Sequence, residues 1–97
     1  MAKVTVTREL QVGHGRYAAT VEGLPGEAEL SISRVSPSLV VADSTFTPVA
    51  LRGQGVASML VERLVADARE EGFKIVPACP FVEGQFERHP EWSDLRA

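Results

Sequence analysis

The segment Arg52-Gly53-Gln54-Gly55-Val56-Ala57 combines residue types that bind anions. Glycines let a phosphate reach the backbone with no Cβ in the way. An arginine adds a permanently charged, forked donor. The first amides of a helix lack intrahelical partners and carry the positive end of the helix dipole. A helix starting at Val56 would aim those amides at a pyrophosphate. The competing reading is a tight turn into a helix with no ligand. Walker A is excluded, because no lysine followed by Ser or Thr comes after the second glycine. The Gly-x-Gly-x-x-Gly dinucleotide fingerprint fails too, since Ser58 stands at its third glycine.

Cys79 is the one cysteine of the chain. As a thiolate it is a nucleophile, and as a thiol it is an acid. The alternative is a buried structural cysteine. His89 could act as a general base or simply sit at a helix end. Phe81, Phe86 and Trp92 could line a pocket, although Phe86 and Trp92 suit packing of a short helix. His14, between glycines, reads as an exposed turn residue.

The elements that must hold these residues follow from periodicity. Val4, Val6 and Arg8 alternate with Thr5, Thr7 and Glu9, a strand pattern. Gln11 to Gly15 reads as a turn. Tyr17, Ala19 and Val21 form a second alternating run, and Gly23-Leu24-Pro25-Gly26 a second turn. Ala28, Leu30, Ile32 and Arg34 continue through Val35. Leu39-Val40-Val41-Ala42 is apolar without alternation, which predicts burial on both faces, and runs on through Phe46. An antiparallel meander of three to four strands is expected before residue 47. Val56, Leu60, Leu64 and Ala68 then recur at helical spacing, with Asp67 among the residues assigned to the solvent side. Gly72 fits a C-terminal cap. Phe73 to Ala78 is a second apolar strand, which makes a βαβ unit with parallel pairing. A short helix over about Phe81 to Arg88 ends at His89-Pro90.

With 97 residues, one domain over 1–97 is expected. The net charge of −3 is interspersed, and no basic stripe points to nucleic acid. No apolar run approaches the ~20 residues of a membrane span. No residue spacing reads as a metal site. Met1-Ala2-Lys3-Val4-Thr5-Val6 alternates rather than forming a signal core, so a cytoplasmic location is expected. A lone cysteine fits a reducing compartment. The expected assembly is a monomer or weak homodimer.

Arg52-x-x-Gly55-x-Ala57, after an apolar strand and heading an amphipathic helix, resembles the coenzyme A loop of GNAT N-acetyltransferases. Thr45-Phe46-Thr47-Pro48, Ile75-Val76-Pro77-Ala78-Cys79 and Arg88-His89-Pro90-Glu91-Trp92 are similar to a subfamily of very small GNAT-like proteins. The likeness covers roughly the C-terminal half. Ser44 stands where that subfamily often has a histidine, so no base is carried over to it. The resemblance implies an α/β (α+β) minimal GNAT fold: antiparallel N-terminal strands leading into a βαβ unit with a short C-terminal helix. It implies acetyl-CoA as cofactor and an unidentified amine as acceptor. The pantetheine arm would lie along Thr45, Phe46 and Thr47, pairing as an added strand. The pyrophosphate would sit on the amides of Gly53, Gln54, Gly55, Val56 and Ala57, beside Arg52. The thioester would end near Cys79, where the two parallel strands splay; the pocket that Phe81 could line would then be the acyl or acceptor pocket. Cys79 would carry or protonate a reacting sulfur, with His89 as a second catalytic candidate. The alternative function is a non-catalytic acyl-CoA-binding module or interaction domain. It gains weight from the segment Glu9–Arg16, which leaves no room for helices after the first strand.

Overall fold

The computed structural model describes residues 3–97. Met1 and Ala2, part of the alternating N-terminal run, lie outside the described residues. Five strands form one sheet in the order β1-β2-β3-β4-β5. β1 (Val4–Gln11), β2 (His14–Val21), β3 (Ala28–Ser36) and β4 (Leu39–Phe46) are antiparallel neighbours. β5 (Lys74–Pro77) pairs parallel to β4. Between them runs α1 (Val56–Glu71), preceded by a 3-10 turn at Val49–Leu51. After β5 come α2 (Pro80–Arg88) and a 3-10 segment at Pro90–Leu95.

The helices cover one face of the sheet. Alternate strand residues Tyr17, Ala19, Ala28, Leu30, Val40, Ala42 and Ile75 are fully sealed on that face. They share one core with Leu60, Val61 and Leu64 of α1 and Val82 and Phe86 of α2. The other face carries Thr5, Thr7, Glu9, Arg16, Thr20, Glu29, Ser31 and Ser33, all exposed or half-buried. This corrects the expectation that β4 is buried on both sides. Val40 and Ala42 are sealed, whereas Leu39 and Val41 are half-buried because no helix lies over them.

The first hairpin is tighter than its glycines suggest. Gln11 pairs directly with His14, so Val12 and Gly13 alone make the turn. Gly13 supplies the positive φ, +79°. His14 and Gly15 belong to β2. Gly15 is required there by close approach, since a Cβ would meet the Glu9 carbonyl oxygen at 2.8 Å.

α1 follows its apolar spacing, and Gly72 caps it at φ +78°, donating to the Ala68 carbonyl at 2.9 Å. Asp67 departs from the expected solvent side, being 7% exposed. Its carboxylate accepts from the Tyr17 hydroxyl at 2.8 Å and from Arg8 at 3.0 Å, which satisfies a charge placed against the sheet. The 3-10 segment after His89 carried no periodic signal. Its Trp92 meets Phe86 edge to face at 5.6 Å, and the Ala97 amide donates to Ile75 at 2.8 Å along the outer edge of β5.

Candidate functional site

Two local devices open the carboxyl end of the parallel pair. The first is a bulge in β4. Ile32 pairs with Ala42 and Ser31 with Ser44, which leaves Asp43 unmatched. Cross-strand partners share a face, so Asp43 and Ser44 both turn to the open side and Thr45 returns to the helix side. The second is the end of β5. Pairing with β4 stops at Ala42 and Pro77. Pro77 has no N–H for the ladder. The Ala78 amide then bonds back to the Val76 carbonyl at 3.0 Å, a three-residue turn. That turn brings the Cys79 amide to the Ala42 carbonyl at 3.0 Å as the last link between the strands. Beyond it, β4 continues to Phe46 while the chain leaves into α2. The expected splay is therefore present.

Cys79 sits at that divergence, 5% exposed and at the N-cap of α2. Its Sγ lies 3.5 Å from Oγ1 of Thr45. Burial pushes the thiol pKa up. The Thr45 hydroxyl and the amides of Val82, Phe81 and Thr45 outweigh burial, and hold the thiol below its ordinary value. Sγ makes no cap hydrogen bond to α2, so those helix amides act through their partial positive charge.

The glycine loop forms a cleft of about 220 Å³, lined by Thr47, Arg52, Gly53, Gly55, Val56, Ala57 and Phe81 among others. Gly55 is the N-cap of α1 at φ +74°, and no side chain caps the helix. Its first turn has no acidic residue. Gly53 has φ +82°, and a Cβ on either glycine would meet nothing within 4 Å. The space where a phosphate would approach is therefore open, and the amides beneath it have no competing side chain. Arg52 lies across the loop, its Nε donating to the Thr47 carbonyl at 3.3 Å. These features fit a bound phosphate.

The structure brings Thr47, Arg52, Gly53, Gly55, Val56, Ala57 and Phe81 into one cleft, and Thr45 onto Cys79. Gln54 is exposed outside the lining, and Phe46 is 62% exposed beyond the last β4–β5 pair. His89 is not brought to Cys79. It caps the opposite end of α2, about 15 Å away at 1.5 Å per residue. There its ring stacks on Trp92 at 3.9 Å and its Nδ1 is 2.9 Å from Glu91. Phe86 and Trp92 are core residues. Two cleft residues escaped the sequence reading. Ser58 lines the cleft one position past the motif, and Leu51 anchors it from beneath, fully buried. The third position of a helix that begins at Val56 was the available signal for Ser58.

The mixed five-stranded sheet, opened at its one parallel pair over a glycine-headed helix, defines the class as a minimal GNAT fold. The chain belongs to the GCN5-related N-acetyl-transferase family, whose model matches residues 16–95. No curated protein matches the chain.

Proposed function

We propose that this protein transfers an acetyl group from acetyl-CoA to an amine, with Cys79 as the group that receives it first. The observation that carries the reading is the Cys79 thiol itself. It is held below its ordinary pKa against Thr45, at the point where β5 leaves β4. The family supports acyl transfer in general. Bound acetyl-CoA would supply an activated thioester. The amides of Gly53, Gly55, Val56 and Ala57 and the Arg52 guanidinium would hold the pyrophosphate, and Thr45 to Thr47 the pantetheine arm; the Gln54 amide already donates to the Leu51 carbonyl.

Cys79, as the thiolate, attacks the thioester carbonyl. A bond forms from Sγ to the acyl carbon, and the coenzyme A sulfur leaves with the electron pair. The amine then attacks the acetyl-cysteine, loses a proton to solvent, and returns Cys79 to the thiolate. His89 has no part in this mechanism.

The test is intact-mass measurement after mixing with acetyl-CoA and no acceptor. One added acetyl group, absent in Cys79→Ala, is expected. Turnover with an amine should fall ~10²-fold or more in Cys79→Ala, the usual scale for loss of a catalytic group, while coenzyme A affinity stays within about twofold. Near-normal turnover by Cys79→Ala would leave direct attack by the amine. Binding without turnover by any amine would leave an acyl-CoA-binding module.

A further inference from the structure

Arginines in this chain are almost all committed to carboxylates. Arg8, Arg16, Arg34, Arg63, Arg69 and Arg96 each face an aspartate or glutamate. The exceptions are Arg52 and Arg88, which have no carboxylate partner among the described residues. Arg52 borders the glycine-loop cleft. Arg88 borders a second cavity of about 200 Å³, lined also by Pro80, Phe81, Gly84 and Gln85.

The two cavities share Phe81. Phe81, Gly84, Gln85 and Arg88 follow the i, i+3, i+4, i+7 spacing of one helix face. They make a stripe along α2 about 10 Å long at 1.5 Å per residue. Gly84 leaves its floor flat, since a Cβ there would meet nothing within 4 Å. Gln85 is the second, independent feature. It is 7% exposed, and its side chain has no hydrogen-bond partner among the described residues. No fully sealed polar side-chain atom is left without a partner, so its amide opens to the groove. An amide that opens to the groove is free to donate to whatever fills it.

We infer that this stripe of α2 is the subsite for the ribose 3′-phosphate of coenzyme A, with Arg88 as its charged donor and Gln85 as an amide donor at the groove wall. The inference rests on the glycine loop binding the pyrophosphate. From that loop the groove passes Phe81 and ends on Arg88, and the 3′-phosphate lies one ribose beyond the pyrophosphate. Arg88 also complements the dipole at the carboxyl end of α2. That role accounts for its charge but not for Gln85 or the groove. The helix end disfavours an anion by about half a charge, and the whole charge of Arg88 exceeds it. The consequence is discrimination between coenzyme A and its 3′-dephospho form.

The experiment is calorimetric titration of the full chain with coenzyme A and with 3′-dephospho-coenzyme A. Coenzyme A should bind wild type at least tenfold more tightly. Arg88→Gln should reduce that ratio to about one by weakening coenzyme A alone, and Arg88→Lys should restore part of it. Gln85→Leu, which keeps the volume buried, should narrow the ratio. Arg88 is exposed, so Arg88→Lys keeps its melting temperature and Arg88→Gln loses only the small helix-end contribution. Equal affinities of wild type for the two ligands would overturn the subsite and leave the loop reading intact. Failure of both ligands to bind wild type would overturn the loop reading and the subsite with it.

Discussion

A thiol is useful only if enough of it is ionised, and at Cys79 the groups that decide this are few. The Thr45 hydroxyl is the first of those that lower its pKa against burial. Thr45→Val keeps the shape and removes the hydroxyl. The thiol pKa should then rise. Because the thiolate is the reactive form, reactivity is present above that pKa and lost as pH falls through it. The acidic limb of Cys79 alkylation by iodoacetamide should therefore move to higher pH in Thr45→Val. An unmoved limb would show that the contact at 3.5 Å contributes nothing to ionisation. The thiol itself was legible in the sequence, as the one cysteine after a strand. Its Thr45 partner was not, because Thr45 reaches it only through the bulge at Asp43, which no periodicity announces. His89 shows the reverse error. Nearness in sequence to Cys79 is undone by an intervening helix, whose length sets its two ends apart.

At the scale of elements, the amino end of α1 lacks what most helices have, a capping side chain or an acidic residue in the first turn. Such residues stabilise helices by about 0.3–1 kcal/mol. Ser58 lines the cleft in that first turn. Ser58→Asp should raise stability by that amount, while weakening acetyl-CoA binding by at least tenfold through repulsion of the pyrophosphate. Thermal melts with and without ligand would read both effects. A more stable protein with unchanged ligand-induced stabilisation would remove the phosphate from this helix. The opposed signs matter, because substitution of Gly55 mixes two effects. At φ +74°, any β-branched residue there also strains the backbone, by about 1–2 kcal/mol. Helix α1, its Gly72 cap and the parallel pairing of β4 with β5 were all legible from spacing. The Pro90–Leu95 segment was not, because its order comes from Trp92 packing and from hydrogen bonds of Arg69 and Lys74 to Glu91 and Asp94 rather than from a repeat.

At the scale of the whole molecule, the Tyr17–Asp67 bond joins the sheet to α1 through the core. Burial first, then the Asp67 carboxylate, holds the Tyr17 phenol well above its ordinary value. A group whose folded pKa is raised contributes stability that is complete below the unfolded value, ~10 for tyrosine, and lost as pH rises toward the folded one. Urea melts should thus show stability declining above pH ~10. Tyr17→Phe should flatten that decline and cost about 1 kcal/mol near neutral pH. A decline unchanged in Tyr17→Phe would assign it to other groups. Asp67 on an assumed solvent face is where amphipathic reading failed, since a charge is invisible as a core residue until its partners Arg8 and Tyr17 are known. The strand order carries a further consequence, for the history of the chain rather than its finished form. Each of β2, β3 and β4 pairs with the strand just before it, across turns as short as Val12–Gly13 and Pro37–Ser38. Only β5 must wait for the long connection through α1, and ring closure costs more as the ring grows. A chain emerging from the ribosome amino end first can therefore add its meander one strand at a time. The carboxyl-terminal residues, which tie down β5 and α2, dock last. Cys79, at the seam between them, reaches its place only when folding is complete, so a partly made chain carries the thiol but not the site.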